Sequence, residues 1–327
     1  MPAALFSETE RLRRIHRVLV MLYQEHKSQA EIAADMGLSP ATINRMIREG
    51  HERGLIEIRV RSPFGGTEGL ASALKRVGKL DGAVTVSSPS SDPAIVLNAV
   101  ADAAAASLLE GLADGMTIAV SGGVALCAVI EALSPGRKYD VRVVPATGGV
   151  QGKFRTDVNH VAVALAEKLG GTAYQLHAPV FAANEAERAA LMSVSTIHGV
   201  LEMARTADVA LFGIGSVREA DSTYLTFTAT VDRAAIERAG AEGELLAHLV
   251  DADGRPSAYP SNQRLVALTL DELARIPRRI AVASGERKVE PIAAVLRGGT
   301  VGHLITDDAT ARDVIRKMEG ATNADPA

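Results

Sequence analysis

Apolar residues recur at helical spacing through the first fifty positions, and then the rhythm changes. From Glu10 to His26, Leu12, Ile15, Leu19, Leu22 and Tyr23 share one side of a helical period, which predicts a supporting helix. In the stretch Gln29 to Arg53, Ile32, Ala33 and Met36 give a first short helix its apolar face. Gly37 breaks that helix and Leu38 plugs the corner. Ser39 caps a second helix whose first residue is Pro40, a position where proline loses no hydrogen bond. There Ile43, Met46 and Ile47 turn inward at i, i+3 and i+4, leaving Ala41, Thr42, Asn44, Arg45 and Arg48 on or near the outward side. Leu55 to Val60 alternates apolar and charged residues as a short strand does, either a wing or the exit to a linker. Ser62-Pro63-Phe64-Gly65-Gly66 is punctuation of the kind that separates domains.

From Gly69 the pattern becomes short Val/Ile/Ala runs alternating with longer helical stretches, the mark of βαβ units and a mainly parallel, Rossmann-like sheet. Strands are predicted over Ala83 to Ser87, Thr117 to Ser121, Val141 to Pro145, Val209 to Gly213, Arg279 to Ala283 and Val301 to Thr306. Helices are predicted over Leu70 to Leu80, Pro93 to Leu112, Val124 to Leu133, Asp157 to Leu169, Glu185 to Thr206, Asp232 to Ala239, Lys288 to Leu296 and Ala309 to Met318, with a frayed tail from Gly320. The expected organisation is a helix-turn-helix domain over 1–61, a linker over 62–68, an α/β domain over 69–320 and a tail over 321–327.

Composition narrows the function. At 327 residues and 47% hydrophobic content, one small and one large domain is the natural division. The single cysteine, Cys127, forms no intrachain disulfide, no signal peptide is legible, and no apolar run approaches a membrane span, so a cytoplasmic protein is expected. The net charge of −4 is unevenly distributed. Met1 to Arg61 holds ten Lys or Arg against eight Asp or Glu, an excess of +2, whereas the remainder holds 25 against 31, or −6. A modest basic excess on the N-terminal part suits double-stranded DNA only through a few placed arginines and multimerisation.

The outward residues of the second helix are groove-reading types. Asn pairs bidentately with adenine, Arg with guanine, and Ala or the Thr methyl touches thymine. Ser39, Ala41, Thr42, Asn44, Arg45 and Arg48 are therefore the candidate DNA contacts, a plain surface hairpin being the alternative. Arg11, Arg13, Arg14 and Arg17 touch phosphates or form a solvated face. Further on, three strands end in glycine turns: Ser121-Gly122-Gly123, Thr147-Gly148-Gly149 and Gly213-Ile214-Gly215-Ser216. Amides at a helix N-terminus make such a turn a phosphate site. With neither a dinucleotide fingerprint nor a Walker loop, a phosphorylated small molecule is expected rather than NAD or ATP.

The chain resembles the SorC family of sugar-binding, DeoR-type bacterial transcriptional regulators over nearly its whole length. The resemblance is carried by EIAADMGLSPATINRMIREGHERGLIEI, TIAVSGGVAL, VVPATGG, ADVALFGIGS, LVDADGRP and IPRRIAVASGERKVEPIAAVLRGGTVGHLITDDATA, of which the last is the most specific. It implies a helix-turn-helix joined to a domain similar to sugar-phosphate isomerases, where a phosphorylated sugar controls operator binding, in a dimer or tetramer. It also implies that the Ser121, Gly122, Gly123 and Thr147, Gly148, Gly149 turns contact the effector and that Lys288 meets its phosphate. Some members hold deoxyribose phosphate as a lysine imine, a role open to Lys153, for which a solvated loop lysine is the simpler reading. Asp251, in LVDADGRP, is either a hydroxyl contact or a turn residue. Where relatives commonly show serine before the recognition-helix arginine, this chain has Asn44, so no operator sequence carries over.

No catalytic residue, metal site or cofactor is expected. Asp251 and Asp253 lack a histidine partner or calcium-loop spacing, His160, His177 and His198 form no relay spacing, and Ser121 lies in no nucleophile elbow. A repressor of a carbohydrate catabolic operon is the first reading. A sugar-phosphate isomerase or deaminase carrying a helix-turn-helix is the alternative, and a nucleoid binder would need a far more basic chain.

Overall fold

The computed structural model describes residues 2–56, 68–87, 90–152, 154–217, 224 and 232–322. The chain divides into two compact units, Met1–Pro63 and Phe64–Ala327.

Among the described residues, the first unit is three helices, α1 (Pro2–Tyr23), α2 (Gln29–Met36) and α3 (Pro40–Glu52). Ser28 and Glu31 form a reciprocal capping box at the start of α2, and Gly37 ends it in the left-handed conformation. Ser39 caps α3 through the Thr42 amide, with Pro40 in the first turn. Ile15, Val18 and Leu19 of α1 close over Ile32, Ile43, Met46 and Ile47 to make the core. Gly50 lets α3 approach α1, since a Cβ there would lie 2.8 Å from Leu19 Cδ1. Of the strand expected over Leu55 to Val60, only Leu55 and Ile56 are described, and they are not in a strand; the rest lies outside the described residues, as do Ser62 to Gly66.

The second unit is built on a seven-stranded, wholly parallel sheet in the order β1 (Gly82–Val86), β9 (His303–Asp307), β8 (Arg278–Val282), β5 (Val209–Gly213), β2 (Thr117–Val120), β3 (Arg142–Pro145) and β4 (Thr172–Ala173). Side chains alternate between two cores. Ile118, Val120, Val143, Leu211, Ile280 and Ile305 face α5 (Pro93–Leu109), α6 (Val124–Ala132) and α7 (Val158–Leu169). Ala119, Val144, Ala210, Phe212, Ala281 and Leu304 face α4 (Glu68–Val77), α9 (Ser195–Arg205), α12 (Val289–Arg297) and α13 (Asp308–Thr322). Burial on both faces is why these strands read as apolar runs. Phe212 is fully buried, and truncating such a side chain to alanine costs about 3–5 kcal/mol.

The six expected strands are all present, with ends displaced by at most two residues. The expected helix over Glu185 to Thr206 is instead two, α8 (Glu185–Ser193) and α9, because Val194 is extended. The Ser193 hydroxyl donates to the Ala190 carbonyl beside it, the local side-chain bonding that competes with helix. The helix expected to fray from Gly320 continues through Thr322, since one interior glycine costs a helix only about 1 kcal/mol. Short elements were not expected: β4, the antiparallel hairpin of β6 (Gly243–Leu245) and β7 (His248–Val250), and α11 (Leu270–Ala274). The expected segment Asp232 to Ala239 is α10 (Arg233–Arg238).

The strand order reverses between β2 and β5. From β2 the chain moves outward to β3 and β4, and then returns to the other side of β2 for β5 and β8. In open parallel sheets such a switch point opens a crevice beyond the carboxyl ends of the strands.

Candidate functional site

A cavity of about 380 Å³ occupies that crevice. The ends of β2, β3, β5 and β8 contribute Ser121, Gly122 and Gly123, then Thr147 and Gly148, then Gly213 to Ser216, then Val282 to Ser284. Two helix starts meet it. At α6 the N-cap is Gly123, at φ 120° and ψ 164°, backbone that essentially only glycine adopts, and no side chain caps the helix. The amides of its first turn, from Val124 onward, therefore have no intrahelical acceptor. At the second, Gly285 (φ 99°, ψ 153°) precedes the 3-10 turn Glu286–Lys288 that leads into α12, and again no side chain caps it. Lys288 lines the cavity from this turn.

The glycine turns are placed as expected but work differently in detail. The Ser121 amide donates to Leu211 O, Gly123 to Thr156 O, Gly148 to Val266 O and Gly149 to Ala178 O, so these four are engaged within the protein. Gly148 is required by backbone packing, because a Cβ would sit 2.3 Å from Pro179 O. Gly149 does not line the cavity. It lies against the Asp157 carboxylate, which caps α7 through the Asn159 amide and also accepts from Val150 N at 2.7 Å. The Ser121 hydroxyl donates to Gly122 O, and Thr147 Oγ1 donates to Gly148 O. Among the described residues, the amides of Gly122 and of the α6 first turn are open to a ligand.

Asp251 is not part of this cavity. Its Oδ1 accepts from the amides of Asp253 (3.0 Å) and Arg255 (2.9 Å), so the carboxylate is the centre of its own turn. This is the turn role, one of the two the sequence allows for it. Lys153 lies outside the described residues. Among the described residues, no group of three or more His, Cys, Asp or Glu is arranged to hold a metal ion.

Glu244 and Tyr224 are among the cavity residues that the sequence alone does not single out. Glu244 of β6 lines the wall beside Lys288, its carboxylate accepting from the Ala247 amide and lying against Gly215 Cα. Burial pushes its pKa up, opposed by the Ala247 hydrogen bond and the Lys288 charge. Tyr224 also lines the cavity, its hydroxyl bonded to the Ser261 hydroxyl, and burial raises its pKa well above the usual range. The available signal for Glu244 was a lone acid between Gly243 and the apolar run Leu245-Leu246-Ala247.

In the first unit, Ala41, Asn44, Arg45 and Arg48 are exposed on α3 as expected, and Thr42 is half-exposed. Ser39 and Thr42 are bonded to each other, through Oγ and Oγ1 at 2.9 Å, besides the cap. Arg45 and Arg48 open onto a groove of about 450 Å³ that also holds Arg11, Arg53, Glu49 and Glu52. Arg11 is exposed, as a solvated face or a phosphate contact requires, and is ion-paired across helices to Glu49 at 2.6 Å.

The sugar-binding domain family model (Sugar-bind) matches residues 62–316. Among curated proteins the chain is similar to the transcriptional regulator LsrR of Klebsiella pneumoniae subsp. pneumoniae, 29% identical with 92% of each chain covered. It is similar also to the deoxyribonucleoside regulator of Bacillus subtilis, 28% identical over 91% of this chain and 96% of that one. Among solved structures, the sugar-binding domain of a transcriptional repressor from Vibrio fischeri superposes with a TM-score of 0.71 at 27% identity, covering 77% of this chain and 100% of that one. The full-length sorbitol operon regulator SorC from Klebsiella pneumoniae shares the fold at a TM-score of 0.71 and 24% identity, over 94% and 99% of the two chains. The relatives are named as regulators and not as enzymes, which sets aside the isomerase or deaminase alternative. With the family model spanning most of its length, the chain belongs to the sugar-binding domain family of SorC/DeoR-type transcriptional regulators.

Proposed function

We propose that this regulator is a cytoplasmic repressor of a carbohydrate catabolic operon, released from or held on its operator by a phosphorylated sugar. The observation that carries the effector reading is the meeting of two uncapped, glycine-started helical turns and Lys288 in one crevice at the switch point of the sheet. Amides at a helix start and an ammonium group together favour a phosphoryl dianion. Gly122, the first turn of α6 and Lys288 hold the phosphate in this reading, with Glu244 beside it and Thr147 left for a sugar hydroxyl. Supporting the operator reading, α3 presents Asn44, Arg45 and Arg48 outward on a capped helix after a tight turn. A reader with so small a basic excess acts as a dimer or tetramer on a two-fold site.

The test is a thermal-shift screen of the full chain against phosphorylated sugars and their unphosphorylated parents. Ligand at 100 times its dissociation constant stabilises by about 2.7 kcal/mol. Stabilisation by a phosphorylated sugar alone, followed by a changed operator affinity with the same ligand, is the expected result. Equal response to both sugar forms removes the phosphate assignment. A strictly monomeric species in light scattering, with and without DNA, removes the oligomer.

A further inference from the structure

A cavity suited to an anion contains a carboxylate. Glu244 extends from β6 into the wall shared with Lys288 and Gly122, and its side chain sits so tightly on Gly215 that a Cβ there would meet it. One oxygen is held by the Ala247 amide. The hairpin fixes the group in place, since Gly215 and Glu244 exchange both of their backbone hydrogen bonds, at 2.8 and 2.9 Å. A side chain so fixed cannot swing away when a second negative charge enters a space of this volume. If the carboxylate kept its charge, ligand and wall would repel one another in a medium of low dielectric.

We infer that the cavity binds its anion together with a proton, taken up from solvent by the Glu244 carboxylate. One proton then enters with each anion, and the neutral carboxyl donates its O–H to an oxygen of the ligand while still accepting from Ala247. The inference rests on the phosphate reading of the same cavity. The other ionisable groups around Glu244 leave it as the proton acceptor. Lys288, on the turn before α12, is a base, and its charge favours the anion. Tyr224 stays protonated, because burial drives its pKa upward. Asp157 is engaged by the amides of Val150 and Asn159. On β7, His248 bonds through Nε2 to Leu268 O, and Glu290 of α12 pairs with Lys317 at 2.6 Å. The upward displacement of the Glu244 pKa by burial agrees in direction: it brings protonation closer to neutral pH.

Sulfate is the probe of choice, since it mimics a phosphoryl group and does not itself titrate near neutral pH. Calorimetric titration of the full-length protein with sulfate at several pH values from 6 to 8 should show affinity falling as pH rises, approaching about tenfold per unit, the slope for one linked proton. Glu244→Gln, which keeps the acceptor for Ala247, should bind sulfate with a flat pH profile and more tightly than the parent at pH 8. Should that variant fail to fold, titrating the parent in two buffers of different ionisation enthalpy reads the proton uptake directly. A flat profile in the parent, zero proton uptake, or a slope that survives in Glu244→Gln overturns the coupling and leaves the phosphate site standing. Absence of binding by sulfate and inorganic phosphate at every pH overturns the phosphate reading, and the coupling with it.

Discussion

Arg11 Nη2 lies 2.6 Å from Glu49 Oε2, tying the supporting helix α1 to the recognition-type helix α3. Glu49 also takes Arg53 at 3.0 Å, and the Arg11 hydrogen bond holds its carboxyl below the usual carboxylate range. One acid thus occupies two arginines on the surface proposed to meet DNA. Arg53 also pairs with Glu8 at 3.4 Å, so Glu49→Gln should free chiefly Arg11 for phosphates, steepening the salt dependence of non-specific DNA binding by up to about one unit of slope. Fluorescence anisotropy on a random duplex over a salt series checks this, and an unchanged slope would place Arg11 away from the DNA.

Arg45 and Asn44 stand exposed on α3. If they read base edges, Arg45→Ala and Asn44→Ala each weaken specific operator binding by about 1–3 kcal/mol while changing non-specific binding less. Parallel titrations with operator and random duplex at one salt concentration give the comparison, and parent-like operator affinity in both variants would move the reading surface elsewhere.

Lys288→Ala should reduce affinity for a phosphorylated effector at least tenfold, because charge-assisted hydrogen bonds contribute about 1.5–3 kcal/mol each. The fold and operator binding should persist, so the response to effector is lost selectively. Calorimetry with the effector, paired with an operator assay, is the check.

Gly148 faces the Pro179 carbonyl at a distance that admits no Cβ. Gly148→Ala must displace backbone and should destabilise the second unit by about 1–3 kcal/mol, the usual range for overpacking. A urea melt measures it, and a loss of ligand affinity with unchanged stability would show instead that Gly148 is a ligand contact.

His248 is buried, and burial lowers its pKa. Its Nε2 donates to Leu268 O, and burial favours the neutral imidazole in the folded state. The unfolded chain, with a histidine pKa of about 6.5, takes up the proton first, so stability should be level above that pH and decline as pH falls below it. Melting temperatures from pH 8 to pH 5 should drop less for His248→Asn than for the parent.

The helices of the first unit were legible because each boundary is written in local chemistry: Ser39 before Pro40, Gly37 after Met36, and Ile43, Met46 and Ile47 in step. The six main strands were legible because both faces are buried, which leaves continuous apolar runs. The hairpin was not, since its strands are three residues each and its turn is Leu246-Ala247 in place of the Asn-Gly that announces such turns. Glu244 went unseen with it. The glycines of the cavity were found, but which amides they leave open depends on Leu211, Thr156, Val266 and Ala178, all remote in sequence. Asp251 stayed open between a turn residue and a hydroxyl contact because a turn-forming aspartate and a ligand-binding one look alike until their hydrogen bonds are traced.

Leu246 and Ala247 both hold left-handed backbone, at φ 49° and 64°, and both form part of the cavity wall. Left-handed backbone costs non-glycine residues roughly 1–2 kcal/mol each. Asn-Gly would relieve that strain, but Leu246 is also buried in the main core, where losing a leucine costs about 2–5 kcal/mol. Anyone recasting this protein as a biosensor for a different sugar should expect libraries randomised at this turn to lose folded members before they gain new ligand preferences. A stabilising change elsewhere in the sheet belongs in the starting template.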